Sequence, residues 1–247
     1  MNNRSLTSKR GLAVILWLSC CLFLLIFSLG LSWQVNKSVN FFYGFWYQQL
    51  NIEQTIKTYT PQNTKGKQDF ASTSTQQHIQ SFNEIVDEIN SNGKHLATLN
   101  YLNKDNDYKT LLTIAEVVHL QDVSHLVSQL RLVSVINIFL LLITIGVIYY
   151  VKSPEPGKKQ KYTAVIIPTV VIFAIFGLFG FTDIFYYLHT VVFPDDHQWF
   201  FYYQESLMSS LMKAPDLFAA IALSLGVIAG IIYWVIYQLL IIKIFKR

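Results

Sequence analysis

The chain has 247 residues, of which 52% are hydrophobic, 15% aromatic and only 14% charged, and its formal net charge is +4. Together with a mean hydropathy of +0.36, this excludes an ordinary soluble globular domain and describes a chain that crosses a membrane several times. The basic excess calls for no nucleic-acid partner, because it sits beside the apolar stretches, where membrane topology requires it.

Residues 1–10 carry Arg4, Lys9 and Arg10 and are expected to stay in the cytoplasm. Residues 11–33 (GLAVILWLSCCLFLLIFSLGLSW) form the first predicted span, since a hydrocarbon core of about 30 Å needs roughly 20 apolar residues. The run exceeds the roughly 7–15 apolar residues of a signal peptide and no small-residue cleavage site follows it, so it reads as an uncleaved anchor. Trp17 and Leu18 fit a lipoprotein box poorly. Cys20 and Cys21, adjacent and within the span, read as lipid-facing or packing residues, not as a disulfide framework or a zinc site.

Residues 34–131 form a long segment between the first and second spans. FFYGFWYQQ (41–49) places six aromatic side chains in nine residues and reads as a belt at the headgroup level, with ligand binding as the alternative. The polar stretch at 60–77 reads as a mobile loop. Beyond it, Ile79, Phe82, Ile85, Val86 and Ile89 recur at helical spacing and stop at Asn92-Gly93, which predicts a short amphipathic helix lying on the membrane or packing on the bundle. Residues 111–131 read as a helix that runs into the second span.

That span covers 132–151, and the loop 152–161 carries Lys152, Lys158, Lys159 and Lys161. The third span, 162–182, contains Pro168; a second outer loop covers 183–216; the fourth span, 217–242, contains Gly226 and Gly230, small residues that allow close helix contact. Residues 243–247 end the chain with Lys243, Lys246 and Arg247. All three basic groups fall on one side, which puts both termini in the cytoplasm and 34–131 and 183–216 outside. The expected fold is an all-α integral membrane protein of four transmembrane helices, with a largely helical extracytoplasmic segment between helices one and two.

Ionisable groups mark the candidate site. At 100° per residue, Glu116, His119 and Asp122 of AEVVHLQDVSHL share an arc of about 120°, with His125 and Gln129 beside it. The wet face of an interfacial helix is the plainer reading of such a stripe. A second cluster, TDIFYYLHTVVFPDDHQWFFYY (182–203), puts Asp183 and His189 at the end of the third span with aromatics after them. Charge at membrane depth is costly and marks function by default, although Asp183 is near enough to an end to be solvated. Topology brings both clusters to one leaflet, so His119 and His189 can face each other across a cleft.

Zinc held by His119, His125, His189 and His197 would lack the usual spacings, since the chain has no HExxH, no CxxC and no histidine pair at i, i+4. Nor is there a GxSxG elbow or a phosphate-cradling glycine loop. General acid and base work by histidine, oriented by Asp or Glu, remains. Tyr186 and Tyr187 are candidate oxyanion donors, with interface anchoring as the plainer role.

EVVHLQDV before span two and YYLHTVVFPDDHQWFF after span three resemble the motifs of the lipoprotein intramolecular transacylase family of four-span bacterial integral membrane proteins. The resemblance falls on Glu116, His119, Leu120, Asp122 and Val123 in the first motif and on His189, Phe193, Pro194, Trp199 and Phe200 in the second. Ala115 stands where the family has an arginine, and the polar region before the first motif is long. The resemblance implies an inner-membrane acyltransferase with its site on the extracytoplasmic face. It would move the sn-2 acyl chain of a diacylglyceryl-cysteine lipoprotein onto that lipoprotein's own α-amino group, giving the lyso-form, without cofactor or metal. It also implies His119 and His189 as the catalytic pair, Glu116, Asp122 and Asp183 as supporting groups, and Trp199 and Phe200 as contacts to substrate or interface. Two facing histidines can serve as base and acid, because an α-amino group of pKa about 7.7–8.0 must lose a proton to attack and the departing glycerol oxygen must gain one. A non-enzymatic envelope protein that handles or assembles lipoproteins and a metal-linked membrane protein are the alternatives.

Overall fold

The computed structural model of the chain describes residues 3–245, in four long helices and a set of shorter elements. The long helices are α1 (Asn3–Ser38), α5 (Ile114–Tyr150), α6 (Lys158–Phe179) and α9 (Asp216–Phe245). By length and composition, each contains a stretch able to cross a membrane. The chain divides into two compact units: a membrane unit of residues up to Val35, Arg131–Gly180 and from Leu225 on, and a site unit of Asn36–Leu130 and Phe181–Ser224.

In the membrane unit a thin core joins Trp17, Cys20, Cys21 and Leu24 of α1 to Leu141 and Ile148 of α5, Ala164 of α6 and Tyr233, Tyr237 and Ile241 of α9. Leu132, Phe139, Leu142 and Ile231 point outward, as suits a solvent of lipid tails. Polar side chains tie the helices to one another: Ser32 Oγ donates to the Leu225 carbonyl at 2.8 Å, Asn137 Nδ2 to that of Phe23 at 2.9 Å, and Tyr237 OH to that of Lys161 at 3.0 Å. Close approach occurs at Gly30, where an added Cβ would lie 3.1 Å from Ser134 Oγ. Gly226 and Gly230, which the sequence offered for that part, have open space around the Cβ position. Cys20 and Cys21 are packing residues, both buried.

The site unit contains α2 (Tyr43–Gln49), α3 (Ile52–Tyr59), α4 (Thr75–Asn90), a hairpin of β1 (Asn100–Leu102) and β2 (Tyr108–Thr110), the first turns of α5, then α7 (Phe181–Val192) and α8 (Leu207–Met212). The hairpin, antiparallel with Tyr101 opposite Lys109, is the strand portion of a segment expected to be largely helical. Its turn is set by Asn103, whose Oδ1 accepts from the backbone N–H of Asp105 and Asp107.

Half of the supposed aromatic belt is core: Phe41, Tyr43 and Tyr47 are buried, and Tyr43 stacks on Phe82 of α4 with ring centroids 3.8 Å apart. Phe42 and Phe45 keep the exposed role. The stretch at 60–77, expected to be mobile, is folded around Phe70, which is wholly buried. Asn63 Oδ1 accepts from the N–H of Lys65 and Lys67, and Lys67 Nζ donates to the carbonyls of Thr110 and Leu111. α4 forms where its periodicity places it and packs inside this unit, burying Phe82, Ile85 and Val86. It ends as a Schellman motif: Asn92 has φ 76°, and the Gly93 N–H donates to the Glu88 carbonyl at 2.8 Å. His78, on the same helix, is buried between Tyr47 and Thr73. Because the Thr73 hydroxyl already donates to Phe70, His78 Nε2–H donates to Thr73 and Nδ1 accepts from Tyr47, so a neutral ring is fully satisfied.

Candidate active site

The third predicted span ends earlier than expected. Gly180, at φ 73°, separates α6 from α7, so Asp183 and His189 belong to a separate twelve-residue helix. His189 is fixed by its own helix: Nδ1–H donates to the Phe185 carbonyl at 2.6 Å. That bond selects the tautomer and leaves Nε2 with a free lone pair. Burial keeps the His189 pKa below the ordinary histidine value, although the carbonyl opposes this.

His119 lies in the second turn of α5, and its ring centroid is 6.0 Å from that of His189. Only 7% of it is exposed, and its Nδ1 has no hydrogen-bond partner. α5 is far longer than a bilayer is thick, and the turns carrying His119 belong to the site unit, ahead of the predicted span. Burial pushes its pKa down to about 4, with a smaller contribution from His189. The ring is therefore neutral at pH 7. An aromatic wall encloses the pair: Phe193 meets His119 edge-on at 4.9 Å and His189 at 5.2 Å, Trp199 lies 5.2 Å from His189, and Phe201 lies 5.9 Å from His119.

Glu116 and Asp122 flank His119 by one turn on either side, and the described hydrogen bonds of both lead elsewhere. Glu116 is fully buried; its Oε2 accepts from the Thr113 N–H at 2.5 Å, while the Glu116 N–H donates to Thr113 Oγ1 at 3.3 Å, a reciprocal cap on α5. Its Oε1 accepts from the Ser206 hydroxyl at 2.6 Å and from the Met208 N–H at 3.1 Å, so the same carboxylate also closes the start of α8. The signal was present in the sequence as Thr113-x-x-Glu116 ahead of an apolar run, which marks a capping box as readily as a catalytic stripe. Asp122 Oδ2 pairs with His197 Nδ1 at 2.6 Å. This partnership raises the His197 pKa, a connection that sequence spacing did not suggest.

The other expected residues divide. Tyr186 packs against Trp199 and Phe200. Asp183 is exposed in the first turn of α7, and Tyr187 and Phe200 are exposed. His125 is exposed on α5. Among the described residues, no group of three or more His, Cys, Asp or Glu is arranged to hold a metal ion.

A family model described as "Lipoprotein intramolecular transacylase Lit" matches residues 16–213. The chain belongs to this family. It is thus an integral membrane acyltransferase that acts on lipoproteins. Similar folds occur in solved structures of the membrane integral transacylase Lit from Bacillus cereus. One is 14% identical, covers 94% of this chain and 97% of its own, and has a TM-score of 0.63. A histidine-to-alanine variant of that protein is 16% identical, covers 97% and 98%, and also has a TM-score of 0.63. A search of the curated proteins returns no match. For a Lit-family enzyme the apolar surface of the membrane unit is the expected outer face, and in the site unit buried His119, with no hydrogen-bond partner on Nδ1 among the described residues, faces half-buried His189.

Proposed function

We propose that this transacylase moves the sn-2 acyl chain of a diacylglyceryl-cysteine lipoprotein onto the lipoprotein's own α-amino group, with His189 as the proton carrier and His119 as a neutral hydrogen-bond donor. The observation that carries this reading is the pair itself: two rings 6.0 Å apart, His119 buried and His189 half-buried, the latter with its tautomer set by Phe185 and its Nε2 lone pair left over. The α-amino nitrogen attacks the ester carbonyl as His189 Nε2 takes its proton; the C–N bond forms, the C–O bond to glycerol breaks, and His189 returns the proton to the departing oxygen. Counted from the free amine, no proton is gained or lost; the ammonium form must first give one proton to solvent, and no second substrate enters. His119, kept neutral by burial, offers an N–H to the oxyanion. Glu116 and Asp122 support the site by fastening α8 and His197 to α5.

The basic residues favour cytoplasmic termini and an extracytoplasmic site in the bacterial inner membrane, where diacylglyceryl lipoproteins are available. With Cys20 and Cys21 replaced, a Ser74→Cys chain should react with an impermeant thiol reagent in intact cells; reaction only after lysis would overturn this orientation.

The test of the chemistry is mass spectrometry of a lipoprotein N-terminus after exposure to His119→Ala, His189→Ala and His125→Ala variants that accumulate normally in the membrane. Losses of about 10²- to 10⁴-fold are expected for the first two and near-normal conversion for the third. Wild-type conversion by His189→Ala would refute the mechanism. EDTA should leave activity intact.

A further inference from the structure

The aromatic wall around the histidine pair comes from residues 193–201, a stretch with neither helix nor strand after its first turns. Its ends are held by backbone: the Phe193 N–H donates to the His189 carbonyl, and the Thr64 N–H donates to the carbonyl of Gln204. Tyr203 is also held near the far end, its carbonyl accepting from Ser210 Oγ of α8 at 3.1 Å and its hydroxyl donating to the Ala214 carbonyl at 2.8 Å. Across 194–202 the one described hydrogen bond to another element is His197 to Asp122, at 2.6 Å. That tie sits four residues after Phe193 and two before Trp199, and on α5 it lands one turn beyond His119, the ring the wall encloses.

We propose that His197, tied to Asp122, is a positioning residue of the transacylase, holding Phe193, Trp199 and Phe201 against the His119–His189 pair so that the substrate's amine and ester meet there. The proposal rests on the acyl-transfer reading above. His197 has no described ring contact with either catalytic histidine, so it acts through the wall and not on the reacting atoms. The pair is partly open to solvent, with side-chain exposures of 35% for His197 and 18% for Asp122. Exposed pairs of this kind add little to global stability. Geometry is where such a tie matters, since a misplacement of about 1 Å can cost on the order of a hundredfold in rate. Asp196 on the same stretch adds negative charge beside His197, which favours its bond to Asp122 in the protonated form.

The experiment uses the purified full-length protein in detergent with a diacylglyceryl lipopeptide, comparing His197→Ala, Asp122→Ala, the double variant and His197→Asn. The alanine variants should lose about tenfold to a hundredfold in kcat with an unchanged thermal midpoint, and the double should be no worse than the poorer single. His197→Asn, whose amide N–H reaches where the ring Nδ1–H lies, should restore most of the rate. Chymotryptic cleavage between Trp199 and Tyr203, located by mass spectrometry, should be faster in the alanine variants and near wild type in His197→Asn. Multiplicative losses in the double, an asparagine variant as poor as alanine, or cleavage and conversion at wild-type rates in both singles would overturn the proposal. If the wild-type chain failed to convert substrate, the reading beneath the proposal would fall and the positioning role with it. The cleavage rates, which need no reaction, tell that failure apart from a tie that does not hold the wall.

Discussion

In the membrane unit the large side chains that point outward are Leu132, Phe139, Leu142 and Ile231, whereas in the site unit the buried positions include Glu116, His78, Asn63 and Lys67. The first unit turns apolar surface toward its solvent and uses a few polar groups between helices; the second hides polar groups such as Glu116, His78 and Lys67 and partners them with backbone and side chains. In lipid, burying an apolar side chain against protein gains little over leaving it among acyl chains, so packing at small residues and hydrogen bonds set the helix contacts. In water, an unpaired buried carboxylate or ammonium is prohibitive, so each one commits its neighbours to a single arrangement. The two units should therefore respond in opposite ways to the same kind of substitution.

The largest difference is expected at Glu116. Replacing it with alanine strips an acceptor from Thr113, Ser206 and Met208 at roughly 1–3 kcal/mol per donor, and leaves Lys67 without a nearby negative charge. Glu116→Ala should reach the membrane yet have a site unit that proteases digest, with Glu116→Gln intermediate. Wild-type protease resistance in the alanine variant would break the comparison.

Acid should come next, and only in the site unit. His78, His119 and His189 all have pKa values below the ordinary 6.5 because burial disfavours their charged forms. The unfolded chain then binds more protons, so stability is full above pH 6.5 and falls as pH drops toward the value of about 4 held by His119. His197, with a raised pKa, works the other way: its contribution is present below 6.5 and lost as pH rises through its folded value. With three groups against one, protease resistance of the site unit should decline between pH 7 and 4. A flat profile would mean that these rings are not neutral in the fold.

Within the membrane unit the comparison sharpens on two glycines. Gly30→Ala must displace the Ser134 hydroxyl and should lower the thermal midpoint, whereas Gly230→Ala has open space and should raise or hold it. Equal effects would show that helix approach at Gly30 is not tight. The smallest response belongs to Phe139→Leu, an outward apolar exchange that should change neither stability nor conversion measurably.

Composition carried most of the membrane unit into view, since stretches of about 20 apolar residues admit few other structures. The histidine pair was legible as well, once topology put two polar clusters on one side. The partners of Glu116 and Asp122 were not. A stripe at three-residue spacing gives the face of a helix but not what crosses to meet it, and Ser206 and His197 lie 90 and 75 positions downstream. The folded state of 60–77 was hidden for a related reason: Phe70 alone is apolar enough to signal burial there, and the order comes from the Asn63 side chain and Lys67 bonding to backbone. Tyr43 and Tyr47 misled by their crowding, because an aromatic run looks the same whether it faces headgroups or Phe82.

His189 owes its orientation to a carbonyl in its own helix, and a main-chain oxygen has no codon. Phe185 can be exchanged for any residue that keeps the helix without removing the acceptor. In a genetic screen for inactive variants, a hit at 185 would report the loss of its ring, 4.1 Å from that of His189, while the atom that prepares the imidazole would leave no mark of its own. Its importance could be read only by chemistry that alters the backbone itself, such as replacing the amide that follows Phe185 with an ester, which weakens the carbonyl as an acceptor and keeps every side chain in place.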